Sequence, residues 1–126
     1  RPAPAPAVMS WLAAQPAASL FISAVTEAEL RYGATLLPEG RRRADLMAAV
    51  DAMLAEDFNG RILPFDSAAA VAYAAIAAGR RQEGKPISQF DAQIAAIAQS
   101  RGAELATRNV SDFEGCEVEV INPWTA

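Results

Sequence analysis

Histidine is absent from this sequence of 126 residues, and cysteine occurs once, at Cys116. Catalytic triads with histidine, Cys–His nucleophile pairs and zinc sites of the usual Cys/His kind are therefore excluded for these residues. A disulfide within the chain is also impossible, which favours the reducing cytoplasm as its compartment. Any chemistry that the chain performs must rest on carboxylates, hydroxyls, amides or basic groups.

Long apolar runs and a strong basic charge are absent as well. No stretch approaches the roughly 18 apolar residues of a membrane span, and we predict no membrane partner. The opening RPAPAPA lacks the charged-then-apolar layout of a signal peptide. The net charge of −4 argues against a surface coated with nucleic acid, although it allows a local basic strip. The length supports a single domain over residues 1–126.

The order of apolar segments along the chain indicates the fold class. Apolar periodicity, helix caps and breaks at proline or glycine predict helices over residues 8–15, 26–37, 41–58, 67–83 and from the Ser88 cap to near residue 102. Short apolar runs predict strands at residues 20–22, 61–65, 104–107 and 118–121. Strands separated by helices predict an α/β three-layer sandwich, with a mostly parallel central sheet flanked by helices.

Three acidic residues share one spacing in the sequence. Each stands three positions after a residue that can cap a helix: Glu29 after Thr26, Asp91 after Ser88 and Asp112 after Asn109. In a capping box such an acid bonds back to the N–H of the cap and lies near the positive end of the helix. Taken one at a time, each acid is most simply explained in this way. Asp66 or Ser67 is predicted to cap the helix over residues 67–83.

Taken together, the three acids also predict a metal site. Glu29 and Asp112 each follow a short apolar strand, and the carboxyl ends of parallel strands form the ligand crevice of an open α/β sheet. If the helix with Asp91 begins at the same edge, three carboxylates converge, and they repel one another unless a cation lies among them. Oxygen ligands suit Mg²⁺ or Mn²⁺, which can activate water and stabilise charge on a phosphate. These residues therefore support an enzymatic hypothesis, metal-assisted phosphodiester hydrolysis.

Four segments, in order and spacing, resemble one known family. SAVTEAELRYGA (residues 23–34), PISQFDAQIAAIAQSRG (86–102), LATRNVSDFEG (105–115) and VINPW (120–124) resemble PIN-domain ribonucleases. Within that family the resemblance is to the VapC/FitB-type toxins of bacterial toxin–antitoxin pairs. It covers nearly the whole chain and implies a PIN-like α/β fold.

The resemblance also implies an activity, partners and site residues. It implies an endoribonuclease that depends on Mg²⁺ or Mn²⁺, forms a homodimer or higher assembly and is inhibited by a small antitoxin protein. Matched motif by motif, Glu29, Asp91 and Asp112 would be the catalytic metal ligands. Thr107 and Asn109 match polar positions that would orient water or neighbouring carboxylates.

The opening of the chain departs from the family pattern. That pattern begins with a strand that ends in Asp-Thr-Asn or a close variant, and its aspartate is a principal metal ligand. Here residues 1–12 already match the family segment that comes after that strand, and residue 1 is Arg1 instead of methionine. We therefore expect the first strand and one of four acids to be missing from these 126 residues, and we expect residues 1–126 alone to bind metal poorly.

Basic side chains could contact an RNA substrate. Arg80 and Arg81, with Lys85 nearby, could follow an RNA backbone towards Asp91, or they could simply be solvated. Arg108 lies within the motif after the third predicted strand and could contact either the substrate or an acidic partner.

Two hypotheses from other classes stay open at this point. In the first, the chain is a non-catalytic interaction domain whose three acids serve as helix caps. In the second, it is a phosphoacceptor or phosphatase of another α/β family. That class usually requires a lysine after a late strand, whereas Lys85, the only lysine, precedes a predicted helix.

Overall fold

The helices and short strands occur along the chain in the order that the sequence predicts. Within residues 6–125, which the computed structural model describes, there are five α-helices: α1 (Pro6–Ala14), α2 (Ala24–Thr35), α3 (Arg41–Glu56), α4 (Ser67–Gln82) and α5 (Gln89–Ser100). The strands of this range are β1 (Ile22–Ser23), β2 (Ile62–Leu63), β3 (Leu105–Ala106) and β4 (Val120–Ile121). Two 3-10 helices, η1 (Ala17–Ser19) and η2 (Val110–Phe113), complete this range.

Local sequence signals account for the bounds of the longer helices. α3 begins at Arg41 and α4 at Ser67, as predicted. Asp66, one of the two predicted candidates, caps α4, since its carboxylate accepts the N–H of Ala69 at 3.0 Å. Gly84 follows α4 with a φ of 73°, a conformation that glycine adopts without strain, and the chain then turns into α5.

Residues 17–64 form one compact unit. In it β1 and β2 pair in parallel, with Ile22 opposite Ile62, and α2 packs against α3. The buried side chains of these two helices are Ala34, Val50 and Leu54. Most of the remaining surface of α2 and α3 is exposed, so this unit has a small apolar core.

An ion-pair network joins α2 to α3 within the same unit. The Arg31 guanidinium donates to Asp51 of α3 at 2.7 Å and to Glu27 of α2 at 2.9 Å. These hydrogen bonds, the one to Asp51 first, raise the pKa of Arg31 above its ordinary value. Glu27 therefore has a partner on its own helix.

A second compact unit contains residues 65–125 together with the described residues 6–16. α4 and α5 pack against each other in it, and most of their buried residues are alanines: Ala69, Ala72, Ala92, Ala95, Ala96 and Ala98. Because alanine has only a Cβ, such helices can approach closely. β3 pairs with β4 in parallel, with Leu105 opposite Val120. The alanine-rich composition therefore serves a tight helix pair.

The predicted fold class is confirmed, because both strand pairs are parallel and helices alternate with them. One detail differs. Between residues 6 and 125 the strands form two separate pairs, β1–β2 and β3–β4, where the sequence predicts a single central sheet. Each pair lies within one compact unit. None of the helices in this range has the length and apolar character needed to cross a membrane.

Candidate active site

Asp91 lies in the first turn of α5, at a start that the sequence predicts correctly. Ser88 is the N-cap residue, with extended backbone angles (φ −64°, ψ 153°), and its Oγ accepts the N–H of Asp91 at 3.1 Å. The Ser88 carbonyl accepts the first helical N–H, from Ala92, at 2.9 Å. The half-buried Asp91 carboxylate thus lies at the positive end of the helix dipole, which stabilises its charge.

Glu29 lies in α2, and here the predicted helix start is wrong. Ser23, and not Thr26, is the N-cap: its Oγ accepts the Thr26 N–H at 2.9 Å and donates to the Thr26 Oγ1 at 3.0 Å. Ser23 pairs with Leu63 in the β1–β2 ladder, which holds it in the extended conformation that an N-cap needs. Glu29 is therefore exposed beyond the first turn, too far along α2 to be a capping acid.

Asp112 lies in η2, the short 3-10 helix after β3. Its N–H donates to the Asn109 carbonyl at 3.1 Å. Asn109 precedes η2, but its side chain makes no capping bond, contrary to the predicted capping box. The Asn109 N–H donates instead to the Oγ1 of Thr107 at 3.1 Å. Phe113, only 5% exposed, anchors the turn, while Asp112 itself is exposed.

The three candidate acids share one property, which most of the other acids between residues 6 and 125 also have. Among residues 6–125, the carboxylates of Glu29, Asp91 and Asp112 accept no hydrogen bond. Asp66, by contrast, caps α4, and Glu27 bonds to Arg31. The candidate acids are therefore not engaged in capping, although two of the three lie in the first turn of a helix.

Arg80 lies on the inner face of α4 and is only 7% exposed. Its Nε donates to the Lys85 carbonyl at 2.7 Å, and its Nη1 donates to the carbonyls of Asp112 and Glu114 at 2.8 and 3.0 Å. The same Nη1 lies 3.6 Å from the buried Cys116 Sγ. The sequence alone leaves Arg80 as either a phosphate contact or a solvated charge, whereas in the structure it is buried and bonded to the main chain.

A signal for this burial is present in the sequence. The buried residues of α4 are Ala69, Ala72, Ile76 and Arg80, which follow one another at intervals of three or four positions, as residues on one helix face do. Arg80 continues the apolar stripe, whereas Arg81 lies outside it. The periodicity could therefore have separated the two arginines.

Arg81 and Arg108 are the exposed members of the predicted basic set. Arg81 lines a pocket of about 480 Å³ with the side chains Ala77, Ala78, Pro86 and Ile87. This pocket lies where the chain passes from α4 towards α5.

Arg108 follows β3 and has an aromatic neighbour. Its guanidinium carbon lies 5.7 Å from the centroid of the Trp124 ring, a cation–π distance. The Trp124 ring therefore favours one position of the Arg108 guanidinium, which is exposed to solvent. Both exposed arginines are thus available to a polyanion, whereas Arg80 is not.

Part of the predicted site lies in one compact unit, that of residues 65–125. Asp91, Asp112, Thr107 and Asn109 belong to it, whereas Glu29 belongs to the unit of residues 17–64. Their donor chemistry fits a hard divalent cation, because every candidate ligand is a carboxylate. Between residues 6 and 125, however, no three acidic or cysteine side chains lie close enough together to hold a metal ion. The described residues supply suitable ligands without forming a closed centre by themselves.

The α/β fold, with acids at the start of α5 and in the turn after β3, agrees with one family of known proteins. The family model of the PIN domain matches residues 2–114. Because the match covers most of the sequence, the chain belongs to the PIN-domain family.

Individual relatives define its place within that family. The chain is 40% identical to the VapC ribonuclease Y4jK of Sinorhizobium fredii over 118 residues, which are 94% of this chain and 84% of that protein. It is 38% identical to the toxin FitB of Neisseria gonorrhoeae over 124 residues, or 98% of this chain and 89% of that protein. The crystal structure of FitAcB from the same organism matches with a TM-score of 0.93 at 37% identity, covering 100% of this chain and 91% of that chain. The resemblance to VapC/FitB-type toxins is confirmed.

Proposed function

We propose that this protein is the toxin of a toxin–antitoxin pair, acting in the cytoplasm as an endoribonuclease that hydrolyses RNA phosphodiester bonds with Mg²⁺ or Mn²⁺. Membership of the PIN-domain family supports the proposal. So does the similarity to relatives named as a ribonuclease and as a toxin.

The observation that carries the proposal is the state of the three candidate carboxylates. Ser88 caps α5 with its own hydroxyl, and the Asp91 carboxylate accepts no hydrogen bond from any described residue. The same holds for Glu29 and Asp112 over residues 6–125. An interaction domain with three capping acids would engage these oxygens with helix N–H groups. These oxygens are therefore not used in capping, and in a chain without histidine such carboxylates are the ligands that suit Mg²⁺ or Mn²⁺.

The proposed roles of the residues follow from their chemistry. Glu29, Asp91 and Asp112 would hold the divalent cation, which when bound supplies an activated water and stabilises negative charge on the phosphate. The Thr107 Oγ1 already accepts the Asn109 N–H, so its own hydroxyl proton is available to orient a water or a carboxylate. The Asn109 amide, which makes no capping bond, can serve the same purpose.

Exposed cations would bind the RNA backbone. Arg81, at the pocket before α5, and Arg108, beside Trp124, offer positive charge in the same compact unit as Asp91 and Asp112. Phosphate contacts of this kind position a strand without reading its sequence. The net charge of −4 confines such binding to local patches.

An antitoxin and a second copy of the chain are the proposed protein partners. A cluster of carboxylates attracts a basic side chain as well as a metal ion, so an arginine or lysine of a small antitoxin protein could occupy the place of the cation. That arrangement would inhibit the enzyme directly. A homodimer is proposed from the resemblance to the toxin family.

A single substitution tests the enzymatic proposal. Asp91→Asn in the full-length protein keeps the size of the side chain and the Ser88 cap but removes a charged ligand. We expect RNA cleavage to fall at least a hundredfold, while Asp45→Asn, a matched change at an exposed acid of α3, leaves it unchanged. Circular dichroism of both variants checks that the fold is kept.

Metal binding separates the proposal from the interaction-domain hypothesis. A ligand that binds only the folded state raises its stability, by about 2.7 kcal/mol at a hundredfold excess over Kd. We expect Mn²⁺ to raise the Tm of the full-length protein and to do so much less in Asp91→Asn. Two results would reject the assignment of a catalytic metal site. One is undiminished RNA cleavage by Asp91→Asn, and the other is a Tm of the unmodified protein that does not change when Mn²⁺ is added.

A further inference from the structure

Arg80 is a buried cation that has no carboxylate partner. Within residues 6–125, the ion pairs of the chain involve Arg31 and Arg101 but not Arg80. The Arg80 guanidinium, 7% exposed, bonds instead to three main-chain carbonyls. Burying a charge is unfavourable unless its hydrogen bonds are made. The packing of α4 does not require a charged residue at this buried position. The role of Arg80 must therefore lie in the hydrogen bonds that its guanidinium makes.

The three carbonyls belong to the segments that carry the two acids of this compact unit. One is that of Lys85, three residues before the Ser88 cap of the helix that begins with Asp91. The others are those of Asp112 itself and of Glu114, at 2.8 and 3.0 Å. These two carbonyls lie 32 and 34 positions from Arg80 in the sequence. One guanidinium therefore joins the approach to α5 with the turn η2.

The turn after η2 is shaped for this contact. Gly115 has a φ of 75°, in the left-handed region that glycine adopts without strain. A Cβ at this position would lie 3.4 Å from the Glu83 Oε1 and 3.9 Å from the Arg80 Cδ. The Cys116 Sγ, in a residue only 1% exposed, packs beside the Arg80 Nη1. The backbone of residues 113–116 thus lies close to the arginine.

We propose that Arg80 is a positioning residue that holds Asp91 and Asp112 in a fixed arrangement for metal binding. The inference rests on the proposed function, because it assigns those acids to one cation. Arginine suits the task because its planar guanidinium donates in several fixed directions at once, whereas the lysine ammonium is a single point on a flexible stem. Arg80 acts through the main chain and touches neither substrate nor metal.

The test compares Arg80→Lys and Arg80→Gln with Arg42→Lys, a matched change at an exposed arginine of α3. Mn²⁺ affinity of the full-length protein is measured by calorimetry, and RNA cleavage is measured over a range of Mn²⁺ concentrations. Substitution of a residue that orients metal ligands typically lowers the metal affinity by about 10–100-fold. We expect both Arg80 variants to lose Mn²⁺ affinity by about tenfold or more and to recover cleavage at high Mn²⁺. Arg42→Lys should match the unmodified protein.

The outcomes distinguish this inference from the proposed function. If the unmodified protein binds Mn²⁺ and cleaves RNA, but Arg80→Lys binds Mn²⁺ within twofold of it, the positioning role alone is rejected. Lost cleavage at every Mn²⁺ concentration with unchanged affinity also rejects it, and favours a direct phosphate contact. If the unmodified protein neither binds Mn²⁺ nor cleaves RNA, the proposed function fails and this inference fails with it.

A measurement on the unmodified protein covers the case in which both variants unfold. The Nε–H of Arg80 is observable by ¹⁵N NMR, and its bond to the Lys85 carbonyl predicts slow exchange with solvent. We expect its signal to shift when Mg²⁺ is added. An Nε–H signal that stays in place while the amide signals of Asp91 and Asp112 shift would overturn the proposal.

Discussion

The hydroxyl of Ser88 accepts the main-chain N–H of Asp91 at 3.1 Å, while the Asp91 carboxylate accepts no hydrogen bond from residues 6–125. Only half of a capping box is therefore formed. The serine fixes the start of α5, and the aspartate contributes its charge at the positive end of the helix. This division separates stability from chemistry, so the two residues should respond differently to substitution.

Ser88→Ala should lower stability without abolishing cleavage. The variant loses the N-cap bond, which typically costs about 1 kcal/mol, and should show a lower midpoint in urea unfolding. RNA cleavage per folded molecule should stay near that of the unmodified protein. Ser67→Ala is the matched control, because Asp66 and not Ser67 caps α4. Equal urea midpoints for Ser88→Ala and Ser67→Ala would contradict the structure.

Ser23→Ala should destabilise the protein more than Thr26→Ala. Ser23 caps α2 and is expected to contribute about 1 kcal/mol. Thr26 lies within the helix, where alanine has the higher helix propensity and offsets part of any loss. Urea unfolding of the two variants measures the difference. A larger loss of stability in Thr26→Ala than in Ser23→Ala would instead support the capping box predicted at Thr26.

Asp66→Ala should weaken α4, whereas Asp66→Asn should not. Asparagine keeps a side-chain oxygen that can accept the Ala69 N–H, and the two residues are about equal as N-caps. The alanine variant should lose about 1 kcal/mol of unfolding free energy. The ion pair of Asp66 with Arg101, at 3.4 Å, is exposed and contributes little. A similar loss in both variants would show that the charge, and not the cap, stabilises the helix.

Ala95→Leu should destabilise the compact unit that contains α4 and α5. Ala95 is fully buried, and overpacking of a close contact typically costs about 1–3 kcal/mol. Ala74→Leu, at an exposed position of α4, is the control and should change stability by no more than about 0.5 kcal/mol. Thermal unfolding of both variants compares them. A tolerated leucine at position 95 would mean that the packing around Ala95 is looser than its burial indicates.

Arg81→Gln and Arg108→Gln should each weaken RNA binding without selecting among sequences. Loss of one phosphate contact should reduce the slope of log K against log salt concentration by about 0.7 for a single strand. Binding is best measured with the cleavage-deficient Asp91→Asn protein, so that the RNA stays intact. Arg42→Gln, on the exposed surface of α3, serves as the control. An unchanged salt slope for both variants would remove these arginines from the RNA surface.

Local signals made much of this protein predictable. The start of α5 follows from Ser88, the break before it from Gly84 and Pro86, and the parallel strand order from the alternation with helices. Each of these depends on neighbours along the chain. The predicted start of α2 is wrong because Ser23 and Thr26 are both suitable N-cap residues. Only the pairing of Ser23 with Leu63 decides between them.

By itself, the sequence determined the chemistry open to this protein: without histidine and with one cysteine, carboxylates are its main reactive groups. It also determined the helices, because caps and periodicity act over a few residues. Tertiary structure decided which groups are engaged. Arg80 and Arg81 are adjacent and chemically alike, yet only Arg80 meets the carbonyls of Asp112 and Glu114, 32 and 34 residues away. The periodicity of α4 indicates that Arg80 faces inward, but its partners at that separation depend on how α4 packs, which no local pattern encodes.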